Sequence, residues 1–362
     1  MKFRQPLYFV LILALESLCW LTSGCSCNAE KSTQLAVSSP PSSPTIPMQE
    51  ERTNERLKGL SQRDQDILQA ENNFIKYFTV NCVQQKAMRK QILTDAQFIK
   101  SLGNQCPGHL PYLATYLQYQ YKAISPPSYN DPWQQAAYDY IISRTNLAEE
   151  LTACQQYRTG TDHKFSAINH IEVGMLSRER ADFLCNLVAK AEPLVQLNGK
   201  TVVDIGGGVG LLLAKLTPYV KLSGSGKLIC IDIEPKLAEF SNFIGKYDPT
   251  FKNIDYRLTN SNGKDIPLQN KEADLICIFD VHNIYDQFSP TNEIIRRQSG
   301  QQYLLNLKSK LKAHGSILIY DSAELMAPAE IVEDIAKNAD FAVHNLPIKE
   351  ANGHYLLQLT KP

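Results

Sequence analysis

Hydrophobic and polar positions change rhythm three times along this chain of 362 residues. Leu7–Leu15 is an unbroken apolar run behind Lys2 and Arg4, the length of a secretory signal core and too short to cross a bilayer. The stretch SSPPSSPTIP, Ser38–Pro47, has few large apolar side chains to bury and is predicted to be a tether. From about Arg56 the spacing turns helical. Leu60, Ile67, Leu68, Ile75 and Phe78 fall near one face, with Ser61 and Asp64 as a start signal. Asp131-Pro132 is a second start, an acid that caps and a proline at the first helical position. Ala136, Ala137, Tyr140, Ile141, Leu147 and Leu151 carry that pattern on.

Beyond Ser177 short apolar runs alternate with helical patterns. Strands are predicted at Thr201–Ile205, Leu228–Ile233, Ile254–Leu258, Asp274–Phe279, Ser316–Tyr320, Phe341–Leu346 and His354–Leu359. Helices are predicted at Ser177–Ala191, from Leu211, from Pro235, at Asn292–Leu311 and at Pro328–Ala339. Strands that are apolar on both faces and alternate with helices predict a parallel sheet covered on both sides. The last two are joined by a short turn at Asn352-Gly353 and must run antiparallel.

Composition narrows the function classes. The 37 basic and 37 acidic residues cancel, so no net charge draws the chain to nucleic acid. The nine cysteines include no CxxC pair, which argues against a zinc ribbon or a thioredoxin-type site. Cys185, Cys230 and Cys277 sit in apolar runs and are expected to be small buried hydrophobes. The histidines show no metal-ligand spacing. His170 and Glu172 precede the first helix of the alternating region and are expected to be linker residues.

The chemistry-bearing segment is VVDIGGGVG, Val202–Gly210, a strand running into a glycine turn and then a helix. Glycines let a ligand approach the backbone, and the helix N-terminus offers free N–H groups and positive potential. The glycines are spaced G-x-G-x-G at Gly206, Gly208 and Gly210, and Leu211 stands where a dinucleotide fingerprint needs its third glycine. Asp204 lies two residues before the first glycine, and Asp232 lies in the second strand.

This run resembles the first motif of class I S-adenosylmethionine-dependent methyltransferases. Asp265–Leu268 with Ala273–Ile276 is similar to that family's loop and fourth strand, and Gly300–Asp321 to its following helix and fifth strand. The resemblance covers about Ile171 to Pro362. It implies an α/β fold with a Rossmann-like seven-stranded sheet and a final antiparallel pair, preceded by a smaller helical segment. It implies S-adenosyl-L-methionine as cofactor, held by Asp204 near the ammonium, Gly206, Gly208 and Gly210 in the turn, Asp232 and Ile233 at the ribose, and Asn262 near the adenine. Two positions depart from the family: Asn262 replaces an acid, and after His282 an Asn283 replaces the usual second histidine. Catalytic candidates at the carboxyl end of the fourth strand are His282, Asp280 and Tyr285, with His282 first as a base.

Small residues before Cys25 resemble a bacterial lipoprotein cleavage box. The expected organisation is therefore a signal peptide at 1–24, a linker at 25–55, a helical segment at 56–165 and a methyltransferase domain at 166–362. Lipidation at Cys25 would anchor it to a membrane. The expected partner is a small-molecule or lipid-like methyl acceptor, with no nucleic acid. A catalytically silent anchored module of the same fold, and less favoured a nicotinamide oxidoreductase, remain as alternatives.

Overall fold

Seven strands form one sheet in the order β3-β2-β1-β4-β5-β7-β6. The structure, a computed structural model, describes residues 60–80, 82–158, 168, 171, 176–221, 223–259, 265–281, 293–322, 327–348 and 353–362. The expected signal segment, Cys25 and the linker lie outside them. Among the described residues no helix is long and apolar enough to cross a membrane.

Contacts divide the described chain into two units. The first takes the described residues up to Cys106, then Leu113–Ser125, and the described residues of Thr145–Phe165. Its helices are α1 (Gln62–Thr79), α2 (Cys82–Ala87), α3 (Arg89–Leu102), part of α4 (His109–Gln120) and α6 (Leu147–Arg158). Ser61 caps α1 by accepting from the Asp64 amide at 3.2 Å, as the start signal predicts. Ile67, Phe74, Tyr77, Ile92, Ile99, Leu113 and Leu151 are buried at helical spacing. The Tyr77 hydroxyl and the Asn73 amide both donate to the Asp95 carboxylate, tying α1 to α3.

The second unit takes Pro107–Tyr112, Pro126–Arg144 and the described residues of Ser166–Pro362. Its strands are β1 (Thr201–Ile205), β2 (Lys227–Asp232), β3 (Ile254–Leu258), β4 (Ala273–Phe279), β5 (Leu311–Ser322), β6 (Ala342–Leu346) and β7 (His354–Thr360). Its helices include α7 (Arg178–Ala191), α8 (Leu211–Val220), α9 (Pro235–Ile244), α10 (Glu293–Lys310) and α11 (Ala329–Asn338). β1 to β5 pair in parallel, and β7 runs antiparallel to both β5 and β6. Alternate residues of each inner strand enter two separate cores. Val203, Ile229, Ile276, Ile317 and Leu357 pack on one face, and Val202, Leu228, Leu275, Leu318 and Leu356 on the other. Each such side chain, fully buried, contributes about 1.5–3 kcal/mol. The predicted elements recur with ends moved by a few residues, except that β5 extends back to Leu311.

Helix α5 (Pro132–Ile142) belongs to this second unit. Asp131 caps it by accepting from the Trp133 amide at 3.0 Å. Tyr140 packs on Phe240 of α9, and the Trp133 indole N–H donates to Asp248 at 2.7 Å. Arg178, the first residue of α7, lies 3.8 Å over the Trp133 ring and pairs with Asp131 at 2.9 Å. The start of α7 is thereby fixed, and α7 carries Arg180 toward the carboxyl ends of the strands.

Strand order reverses at β1, which lies between β2 and β4. In an open α/β sheet the crevice beyond the carboxyl ends of the strands at such a reversal is where ligands bind.

Candidate functional site

β1 ends in Asp204-Ile205 and turns sharply. Gly206 takes φ +69°, and its amide donates to the Ile231 carbonyl of β2 at 2.7 Å. A Cβ at Gly206 would stand 2.5 Å from Val281 Cγ1, so both the backbone angle and the neighbour exclude a side chain. The Gly210 amide closes the turn on the Gly207 carbonyl, and Gly210 accepts from Ala214 to start α8.

Asp204 lies beneath this turn, 4% exposed. A Cβ on Gly207 would meet Asp204 Oδ2 at 2.7 Å and Cys230 Sγ at 2.8 Å, so only glycine lets the turn cover the acid. Strand register places Asp204 between Cys230 of β2 and Cys277 of β4, both fully buried. Burial, and then the nearby Asp232 carboxylate, push Asp204 up to about 8, while the Arg180 guanidinium pulls it down. A buried acid raised in this way gains most from a cationic partner, which would hold it ionised.

Asp232 ends β2 as a carboxylate ringed by amides. Its Oδ1 accepts from Ile233 at 2.7 Å and from Glu234 at 3.2 Å, and its Oδ2 accepts from Gly208 at 3.1 Å. Burial raises its pKa, and the three N–H groups oppose that rise. Large apolar side chains stand open beside it: Ile233 is 38% exposed and Leu258 51% exposed, with Leu258 paired to Asp232 in register. They offer an apolar surface next to a hydrogen-bonding carboxylate, which suits a nucleoside.

Asp280 follows β4 with φ +53°, a left-handed conformation that Asp tolerates better than most residues. Its amide donates to the Tyr320 carbonyl of β5 at 3.0 Å, and its carboxylate forms an ion pair with Arg180. Of the expected site, the structure brings Asp204, Gly206, Gly208, Gly210, Asp232 and Ile233 together around one turn. Asn262, His282 and Tyr285, along with His170 and Glu172, lie outside the described residues.

Sequence reasoning missed three participants. Arg180 gave no signal, because its partner Asp280 is 100 residues away. Tyr256 of β3 donates its hydroxyl to the Gly208 carbonyl. Cys230 is buried as expected for a small hydrophobe, yet its thiol lies 3.8 Å from the same carbonyl oxygen.

Residues 180–324 match the ubiE/COQ5 methyltransferase family profile. No curated protein matches the chain at a significant level. Solved structures similar to it include an S-adenosylmethionine-dependent methyltransferase from Aquifex aeolicus, 19% identical, covering 51% of this chain and 97% of its own, with a TM-score of 0.36. An O-methyltransferase family protein from Burkholderia thailandensis is 16% identical, covering 70% and 72%, with a TM-score of 0.39. Magnesium protoporphyrin IX methyltransferase from Synechocystis PCC 6803, solved with S-adenosylmethionine bound, is 15% identical, covering 65% and 100%, with a TM-score of 0.37. The second unit has the class I methyltransferase fold, and its residues 180–324 are similar to the ubiE/COQ5 methyltransferase family.

Proposed function

We propose that the second unit transfers the methyl group of S-adenosyl-L-methionine to a small-molecule or lipid-like acceptor. The observation that carries this reading is the placement of two acids, the buried Asp204 and the half-buried Asp232, at the carboxyl ends of adjacent parallel strands beneath and beside one glycine turn. Asp204 suits an ammonium, because a cation there relieves its desolvation. Asp232 suits vicinal ribose hydroxyls, because an ionised carboxylate accepts several hydrogen bonds. Asp232 and Leu258 would hold the nucleoside end, and Gly206–Gly210 would admit the amino-acid end against the backbone.

When bound, the cofactor supplies an electrophilic methyl group on a sulfonium. The protein's share is alignment, which supplies much of the acceleration in a bimolecular transfer. Where the acceptor is an oxygen or nitrogen acid, His282 is the proposed base and Tyr285 its alternate, both just beyond β4. Asp280 is the weaker candidate, because Arg180 already engages its carboxylate.

Calorimetric titration of the full chain with S-adenosyl-L-methionine and S-adenosylhomocysteine, with Asp232→Ala as control, tests the cofactor site. Micromolar binding lost in the variant supports it. A folded protein that binds neither ligand overturns it. Undiminished turnover in His282→Ala would remove the base role.

We also propose that the chain is exported and anchored through a lipid on Cys25. The positive start at Lys2 and Arg4, the apolar run Leu7–Leu15 and the small residues before Cys25 support this. Radiolabelled palmitate that enters the wild type and not Cys25→Ala is the expected result; equal labelling of both, or of neither, refutes it.

A further inference from the structure

The middle glycine of the turn is held at both ends of its backbone. Gly208 N–H donates to Asp232 Oδ2 at 3.1 Å, from the end of β2. Gly208 C=O accepts from the Tyr256 hydroxyl of β3, and the Cys230 thiol of β2 lies 3.8 Å from the same oxygen. Register places Tyr256, Cys230, Asp204 and Cys277 in one row across β3, β2, β1 and β4. The row runs under the turn.

We propose that Tyr256 is a positioning residue for the cofactor: its hydroxyl fixes the Gly208 carbonyl downward, which aims the Gly208 N–H at Asp232 and sets that carboxylate for the ribose. This rests on the cofactor reading above.

First, φ at Gly206, Gly208 and Gly210 is positive, so the turn lacks the side-chain restraint that would hold other residues in one conformation. Something outside the turn must select among its backbone states. Second, Tyr256 is a persistent donor. Burial, and the acidic groups of Cys230, Asp232 and Asp204 around it, raise its phenol far above the ordinary value, so the proton that makes the bond stays in place. Third, Cys230 cannot substitute fully, since a thiol is a weak donor. Fourth, the Tyr256 hydroxyl is already spent on the Gly208 carbonyl beneath the turn. It therefore acts through Gly208.

The test is Tyr256→Phe in the full chain, which keeps the ring and removes one oxygen. S-adenosylhomocysteine is titrated into both proteins by calorimetry. Amide hydrogen exchange is followed in the peptide Val203–Leu211 without ligand. The proposal expects binding weaker by about tenfold, the equivalent of one ordinary hydrogen bond, together with faster exchange confined to that peptide. A purely structural role would lower the melting temperature and speed exchange across the sheet, leaving the affinity of the folded fraction unchanged. Equal affinity, or unchanged exchange in Val203–Leu211, overturns the proposal. If wild type itself does not bind S-adenosylhomocysteine, the cofactor reading falls, and exchange in the turn still decides whether Tyr256 holds it. Should Tyr256→Phe fail to give a cooperative melt, Cys230→Ser provides a second approach. It replaces the weak donor by a stronger one on the same carbonyl and is expected to slow exchange in that peptide; no change there counts against a clamp on the Gly208 carbonyl.

Discussion

The amide of Gly208 donates to the carboxylate of Asp232 at 3.1 Å. The glycine turn after β1 and the acid at the end of β2 are thus one hydrogen-bonded unit, not two motifs that meet only on a ligand. Asp232→Asn should be informative for that reason. It keeps the volume but removes the charge that three amides, from Gly208, Ile233 and Glu234, stabilise. Charge-assisted bonds are the stronger class, and the loss should weaken S-adenosylhomocysteine binding by ~2 kcal/mol, roughly thirtyfold. Calorimetry at constant pH measures it; a change below threefold would show that the carboxylate does not hold the ribose.

Asp204 predicts a pH dependence with a definite sign. Its ordinary value is 3.8 and its folded value is about 8. Between those limits the folded state binds a proton that the unfolded state does not, so the free protein loses stability as pH rises from about 4 to about 8. Ligand affinity moves the opposite way, because an ammonium prefers the ionised acid, and S-adenosylhomocysteine should bind more tightly at pH 8 than at pH 6. Thermal melts and calorimetry across that range test both, and Asp204→Asn should flatten both slopes. Slopes that survive in Asp204→Asn would assign them to another group.

Gly206→Ala tests whether the turn is as tightly built as its contacts indicate. The new Cβ would stand 2.5 Å from Val281 Cγ1 on a backbone at φ +69°. Strain and overpacking together should destabilise the fold by about 3 kcal/mol. Val281→Ala in the same chain should restore part of that loss, since it removes the clash and leaves the backbone strain. Denaturant unfolding measures both variants. Full restoration would mean that φ at Gly206 carries no penalty, and none would mean that Val281 yields on its own.

The sheet, its parallel majority and its closing antiparallel pair were legible because strand and helix periods differ and because the residue pair Asn352-Gly353 is a turn signal in the sequence between the last two apolar runs. The glycine turn and both acids were legible because their spacing is local. What was not legible is whatever register brings together. Cys230 reads correctly as a buried small residue, yet nothing near it in sequence reveals Asp204 beside it or the Gly208 carbonyl above it. Tyr256 is 48 residues from Gly208, and in a five-residue strand an aromatic looks like ordinary packing. α5 reads as part of the preceding helical segment because chain order suggests it, whereas Trp133, Tyr140 and Asp131 tie it to α9, Asp248 and Arg178.

Arg180 gives a final prediction, because two acids answer to it. Its guanidinium pairs with the Asp280 carboxylate and lowers the pKa of Asp204. Replacing it by Gln removes a positive charge from the mouth of the crevice while keeping a side chain of similar reach. With that charge gone, burial and Asp232 act on Asp204 unopposed, and its titration should move above 8. The affinity–pH curve for S-adenosylhomocysteine should shift to the alkaline side in Arg180→Gln, so that binding at pH 7 weakens while binding at high pH approaches the wild-type value. Loss by the same factor at every pH would instead identify Arg180 as a direct ligand contact. An unchanged curve would show that its charge does not reach Asp204. Arg178→Gln provides the contrast: Arg178 is two residues earlier on α7, and its partners are Asp131 and Trp133. Arg178 also lies 3.9 Å from Asp248, and that variant should lower the melting temperature without moving the midpoint of the curve.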